Sequence, residues 1–231
     1  TGRKIDIDNL NFDDKAVLES IGTGKTDGIF QLESAGMKSF MKELKPQSLE
    51  DIIAGISLYR PGPMDFIPQY IRGKNDQSSI TYDCPQLEPI LAPTYGCIVY
   101  QEQVMQIFRT LAGYSLGRAD IVRRAMSKKK RDVMESEREI FINGLKDENG
   151  EYIINGAVRN GIDAKTADDI FSDMISFASY GFNKSHTAAY GLVAYQTAYL
   201  KVKYPEAFMA ALLTSVIGDV SKTVLYINEC N

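Results

Sequence analysis

Residues 118–131 read RADIVRRAMSKKKR. Seven are basic (Arg118, Arg123, Arg124, Lys128, Lys129, Lys130 and Arg131) and one, Asp120, is acidic, so fourteen residues carry +6 in a chain of formal net charge −4. The other 217 residues therefore sum to −10. Seven like charges repel one another and weaken the fold unless an anion relieves them. On a helix of 3.6 residues per turn Ile121 shares a face with Ala125 and Val122 with Met126, while Arg124 and Lys128 stand four apart on another. A helix so patterned can dock its apolar side on a core and project its guanidinium groups together into a cleft. Arginine offers a planar fork of donors that matches phosphate oxygens in pairs, and lysine adds point charge. The stretch is thus either a solvated helix end with a basic loop, or a site for a polyphosphate or a nucleic-acid backbone.

The same helical period recurs on both sides of it. Toward the N-terminus, Ser34 caps a helix with Met37, Phe40, Met41 and Leu44 on one face, closed by Pro46. Ser48 starts a second, with Asp51 at capping-box spacing and Ile52, Ile53, Ile56 and Leu58 as its apolar content. Tyr59-Arg60-Pro61-Gly62-Pro63 stops it in a stiff turn that holds Arg60 at a helix end, where it faces either the last carbonyls or a ligand. Residues 73–93 are polar and proline-containing, which predicts a surface excursion. Residues 97–100, CIVY, predict a short buried strand leading into a helix over 102–112, and Gly113 and Gly117 bracket the turn into the cationic helix.

Toward the C-terminus, residues 134–145 predict a charged amphipathic helix and 146–161 an Asn/Gly-rich loop or hairpin. Residues 166–178 predict a helix with Ala167, Ile170, Phe171, Met174, Ile175 and Ala178 on one face. Ser185 is read as the N-cap of a long helix over 187–203, ended by Pro205, which opens a last helix to Ile217 with Gly218 as its stop. Eight or so helices and little sheet make a mainly α fold: an irregular multi-helix domain with one or two short strands or hairpins.

Bulk properties exclude several classes. The 231 residues suffice for one large or two small domains, with 44% hydrophobic and 24% charged residues. Three cysteines (Cys84, Cys97, Cys230) lack metal-ligand spacing and one histidine cannot make a His-rich site, so the thiols are read as reduced and the expected location is cytoplasmic. The longest apolar run, 207–217, is too short for a bilayer, which needs about 20 residues. Overall acidity argues against a protein that coats nucleic acid and for one that meets phosphates at a focused site.

Two N-terminal motifs are weaker than they look. Asp6 and Asp8 could hold a metal on an extended strand, yet alternation with Ile5 and Ile7 is the ordinary mark of a half-buried strand with its acids in water. Residues 22–26, GTGKT, resemble the tail of a phosphate loop, but position 19, where the first glycine belongs, is Glu.

A second cationic feature lies at 184–186, Lys-Ser-His. A helix start attracts anions through its unpaired N–H groups and dipole, so a lysine there is unfavourable by a few tenths of a kcal/mol unless something negative intervenes. Tyr190, four residues after His186 on the same face, offers a ring on which a base could stack; the alternative for His186 is a satisfied core or capping histidine. Two frustrated cationic helix starts in one acidic chain suggest a shared ligand, a nucleoside triphosphate with its base near Tyr190.

Five stretches together carry a family resemblance: FQLES (30–34), SLYRPGPM (57–64), PTYGCIVYQEQVMQI (93–107), LGRADIVRRAMSKKK (116–130) and YGFNKSHTAAYGLVAYQT (180–197). In order and spacing they resemble the bacterial replicative DNA polymerase III alpha subunit, in its fingers domain. The resemblance implies a helical fingers domain over 32–231 and a segment leading out of the palm over 1–31. It implies template-directed primer extension by a DNA-directed DNA polymerase, with deoxynucleoside triphosphates (dNTPs) as substrate and primer-template DNA as partner. Two Mg²⁺ ions would be held by palm aspartates outside this sequence, so that the stretch alone would be inactive. Arg123 and Arg124 become the first candidates for triphosphate contacts, then Arg118 and Lys128, with Lys184, His186, Tyr190 and Arg60. Palm and thumb would be partners, with the sliding clamp and other replisome subunits reached through other regions and no membrane. Gly191 and Ala194 stand where alanine and serine are expected in many relatives, and the loop over 143–160 is longer than in some. The competing reading is a helical module that grips nucleic-acid backbones without selecting nucleotides.

Overall fold

Local signals set most of the helices in the computed structural model, which describes residues 2, 5–128, 131–178 and 182–230. Ser34 Oγ accepts the Met37 N–H and opens α2, Ala35–Leu44. Ser48 Oγ accepts the Asp51 N–H while the Asp51 carboxylate reaches back to the Gln47 N–H at 2.8 Å, a reciprocal cap that opens α3, Leu49–Leu58. Asp14 caps α1, Lys15–Gly22, and Ser115 caps α7, Leu116–Ser127. The remaining helices are α4 (Ile67–Asn75), α5 (Glu88–Leu91), α6 (Gln101–Ala112), α8 (Arg131–Asn143), α9 (Ala164–Ala178), α10 (Lys184–Lys203), α11 (Pro205–Ser215) and α12 (Val220–Glu229). Among the described residues the one sheet is a hairpin, β1 (Leu145–Lys146) antiparallel to β2 (Tyr152–Ile154), with Leu145 opposite Ile154. The fold is mainly α, as the periodicity predicts.

The chain forms two compact units, Thr1–Tyr59 with Ser185–Asn231, and Arg60–Lys184. Residues 5–31 belong to the first unit. In that unit two distant segments are tied by polar bonds: the buried Tyr195 donates its hydroxyl to the Asn11 carbonyl at 2.8 Å and accepts the Asp14 N–H at 3.1 Å. Lys201 Nζ donates to the Asp27 carbonyl at 2.8 Å and pairs with Glu229 at 2.7 Å.

The second unit is built around Phe108 of α6, which is fully buried with Tyr114, Phe141 and Phe171 ring centres 5.0, 5.4 and 6.0 Å away. Rings from α6, α8 and α9 thus lock together edge-on, an arrangement worth about 0.5–1.5 kcal/mol per pair beyond area burial. The hairpin is clipped on by two glycines of positive φ, Gly144 (+88°) and Gly156 (+78°), whose backbones cross so closely that a Cβ on Gly156 would stand 2.3 Å from Gly144 N.

Several expectations are corrected. Residues 73–93 are not a surface excursion: they contain the end of α4, α5 and 3₁₀ turns, and bury Cys84, Leu87, Ile90 and Leu91 in the second unit's core. Prolines 85 and 89 sit in the first turns of these short helices, where a missing N–H is harmless. Residues 97–100 bury Cys97, Val99 and Tyr100 but form no strand beyond one bridge, Tyr100 to Phe182. The cationic stretch is not one helix, since α7 ends at Ser127 and α8 begins at Arg131, with Lys129 and Lys130 outside the described residues. Gly117 lies inside α7 rather than in the turn before it. The docked face of α7 is Ala119, Val122 and Met126, while Ile121 is 68% exposed. Four further helices, α1, α4, α5 and α12, join those predicted.

Candidate phosphate-binding site

The start of α6 organises the cations of the second unit, and one buried residue fixes it. Gln103 Oε1 accepts the N–H groups of Val99 and Tyr100 at 2.8 and 2.9 Å, and its Nε2 donates to the Ile90 carbonyl and Thr94 Oγ1 at 3.1 and 2.7 Å. Both donors and both lone pairs of the amide are used, so its position is over-determined. Immediately before it, the Gln101 N–H donates to the Phe182 carbonyl at 3.0 Å. The Glu102 carboxylate accepts the Lys184 N–H at 3.1 and 3.2 Å and Asn183 Nδ2 at 3.1 Å. This is the negative group that a lysine at a helix start calls for, supplied from 82 residues away in sequence. It also moves the start of α10 to Lys184, so Ser185 stands within the first turn and is not the N-cap.

Three candidate cations meet this frame. The Arg60 guanidinium lies 3.8 Å from the centre of the Phe182 ring, within cation–π range. Lys184 Nζ is 5.2 Å from the centre of the Tyr100 ring. Arg123 reaches in from α7, its Nη1 donating to Gln101 Oε1 at 2.7 Å while Nε and Nη2 hold Asp120 Oδ1 at 3.1 and 2.7 Å. The other oxygen of Asp120 holds Arg124 Nη2 at 2.7 Å. One carboxylate therefore braces two arginines, and hydrogen bonding from Arg123 first, then the charges of both, pulls its pKa below the usual carboxylate value. Arg123 is mostly enclosed, with 17% of its side chain exposed, whereas Arg124 keeps 68% in solvent. Counting Arg60, Arg123, Arg124 and Lys184 against Asp120 and Glu102, four cations to two carboxylates leave +2 at this place.

The other candidates are disposed differently, and the guanidinium groups of α7 do not all share one cleft. Arg118 turns to α8, where Nη2 pairs with Glu137 at 2.8 Å and its guanidinium stands 5.6 Å from the Tyr114 ring centre. Tyr114 donates its hydroxyl to the same Glu137 at 2.9 Å, and burial, followed by the Glu137 charge, pushes that hydroxyl far above its ordinary pKa. Lys128 is exposed at the end of α7. His186 and Tyr190 lie in the first unit, their ring centres 4.1 Å apart, with Phe30 5.3 Å from Tyr190. The Tyr190 ring thus already has two aromatic neighbours.

Gln101, Glu102 and Gln103 carry the frame and were not singled out in the sequence. The signal existed for Gln103 alone: at i, i+4 and i+8 it shares the apolar stripe of Ile107 and Leu111, and a polar residue on such a stripe must find buried partners. Elsewhere, Cys84 and Cys97 are buried thiols whose pKa burial raises, Cys97 to about 12, and Cys230 is exposed. Among the described residues no three His, Cys, Asp or Glu side chains gather as metal ligands, and no helix is long and apolar enough to cross a membrane.

A helical unit that gathers arginine and lysine around one short segment, with its cations braced rather than neutralised, has the surface chemistry that suits an anion. The chain belongs to the family described as the bacterial DNA polymerase III alpha subunit finger domain, which it matches over residues 1–149. It is 49% identical over 228 residues to DNA polymerase III subunit alpha of Staphylococcus aureus strain Mu50, and 46% identical to that of Halalkalibacterium halodurans. In each case 99% of this chain is covered, but it spans only 20% and 19% of the relatives' length.

Proposed function

We propose that this chain is the fingers of a DNA-directed DNA polymerase and grips the triphosphate of an incoming dNTP while covering the nascent base pair during primer extension. The observation that carries this reading is the meeting of Arg60, Arg123 and Lys184 at the start of α6, with Arg124 solvent-exposed beside them on the shared Asp120. Phosphoryl transfer needs positioning and charge stabilisation more than covalent help, so a preset cationic patch is a useful contribution. Arg124, held through one nitrogen with the rest of its fork in water, is the primary triphosphate contact. Arg123 acts as a fixed charge behind it, its orientation set by Gln101 and Asp120. Arg118 holds α7 against α8, and Lys128 adds charge at the helix end. His186 and Tyr190, stacked on each other within the first unit, are further candidates for nucleotide contact.

Two Mg²⁺ ions at the reacting phosphate belong to the wider polymerase reading. In this reading palm aspartates outside this sequence hold them, this chain's share is binding and charge compensation, and the segment over 1–31 leads out of the palm. Closing on a correct pair would assemble both halves of the site, giving selection by induced fit. Primer-template DNA, palm and thumb are the immediate partners in this reading, and clamp and replisome contacts are made by other regions.

The test is Arg124→Ala in the full polymerase subunit that carries this chain. We expect kcat/KM for nucleotide to fall about 10-fold or more with thermal stability nearly unchanged; an unaltered kcat and KM refutes the assignment. The competing backbone-binding module is separated by titrating the chain with DNA and with a dNTP at two salt concentrations. That module binds DNA with steep salt dependence and ignores free nucleotide.

A further inference from the structure

The second unit holds a cleft of about 290 Å³ whose lining residues are all distinct from those of the cationic site. Its lining is mixed, with Phe66 and Phe177 edge-on at 6.2 Å between ring centres, Ile98 and Ile107, and polar side chains such as Gln69 and Thr81. Asp83 and Asp173, both solvent-exposed, belong to the same lining, which contains no lysine, arginine or histidine. Among the described residues neither carboxylate has a salt-bridge or side-chain hydrogen-bond partner, so no cation of this chain offsets their charge. The two acids also feel each other: desolvation first, then the charges of Asp83 and Asp169, raise the Asp173 pKa. Two carboxylates without a countercharge beside aromatic rings offer a cation with an apolar body a partner for each of its parts.

We propose that this cleft binds a small organic cation, an ammonium or guanidinium head on a one-ring apolar body, with the head between Asp83 and Asp173 and the ring against Phe66 and Phe177. The volume stands at the small end of ligand pockets, which run from about 300 to 1,000 Å³, and so suits a compact ligand rather than a nucleotide. The charge excludes phosphates, in contrast to the site at the start of α6. A bare divalent ion is disfavoured because, among the described residues, no third His, Cys, Asp or Glu side chain joins the two carboxylates.

The experiment titrates the 231-residue chain with 4-phenylbutylamine, 4-phenylbutanol and 4-phenylbutyrate, following isoleucine methyl resonances by NMR. The amine should bind about 5- to 10-fold tighter than the isosteric alcohol, with the carboxylate weakest, and the shifts should centre on Ile98, Ile107 and Ile170. In Asp173→Asn and in Asp83→Asn the amine preference should fall to about 2-fold or less. Both acids are exposed, so the variants should fold, which circular dichroism checks; if one does not, the other decides. Equal affinity for amine and alcohol, no binding of the amine, shifts centred elsewhere, or a preference that survives loss of either carboxylate overturns the proposal.

Discussion

Gln103→Leu should be among the most damaging single changes in the second unit, although leucine is apolar, close in size and a good helix former. The substitution strands the N–H groups of Val99 and Tyr100, both buried, and removes the donor to the Ile90 carbonyl. An orphaned buried backbone donor costs about 1–3 kcal/mol, so two give roughly 2–6 kcal/mol. The apolar surface that leucine buries returns about 1 kcal/mol, leaving a net loss of about 1–5 kcal/mol. For a chain of this size that shifts the unfolding midpoint of the unit by about 2–20 °C. Thermal and urea unfolding measure the loss, and amide hydrogen exchange localises it, since Val99 and Tyr100 should change from slow to fast exchange. A loss below about 1 kcal/mol with both amides still protected would refute the claim that this side chain holds the segment in place. Nucleotide affinity should fall along with stability if the start of α6 presents Arg123 and Lys184 as described.

Glu102→Gln keeps an acceptor for the Lys184 N–H but removes its charge, and should cost about 0.5–1 kcal/mol; Glu102→Ala should cost about 1–2 kcal/mol, with faster amide exchange at Lys184 as the local readout. Gly156→Ala puts a Cβ 2.3 Å from the Gly144 nitrogen at a φ of +78° and should destabilise by about 2–4 kcal/mol, measured by urea unfolding. Asp14 and Asp120 have folded pKa values held below the usual 3.8, Asp14 chiefly by its hydrogen bond from Lys203 and Asp120 by that from Arg123. Their contribution is therefore fully present above about pH 4 and lost as the pH falls through the lowered values, so Asp14→Asn should flatten the stability curve below pH 4 and leave it unchanged in slope between pH 5 and 7.

Where the sequence was legible, the deciding interactions were local. Ser34 and Ser48 cap the next few residues, and the stripes of α2, α6 and α9 need only a 3.6-residue period, so these helices can be drawn without knowing any neighbour. Residues 84–91 misled because proline and polar residues suggest an excursion, yet Cys84, Leu87 and Leu91 lie at i, i+3 and i+7 and the prolines begin helical turns rather than end them. The cationic block showed where phosphate chemistry could reside but not how its members divide. Glu137 draws Arg118 toward α8, and Gln101 with Asp120 draws Arg123 toward α6. Gly191 shows the same dependence on a neighbour, since only the proximity of Ile53 Cγ1, 2.7 Å from a would-be Cβ, explains why a side chain there would need the packing to shift.

By itself the sequence determined the helical class, most caps and stripes, the excess of cations at 118–131 and 184–186, and, through five ordered motifs, the family. Tertiary structure alone decided which cations lie together, because a charge finds its partner through space: Glu102 and Lys184 are 82 residues apart in sequence yet share a hydrogen bond. Periodicity records which face a helix buries, but a polar or charged group is satisfied by direction and distance, and those exist only once the chain has folded.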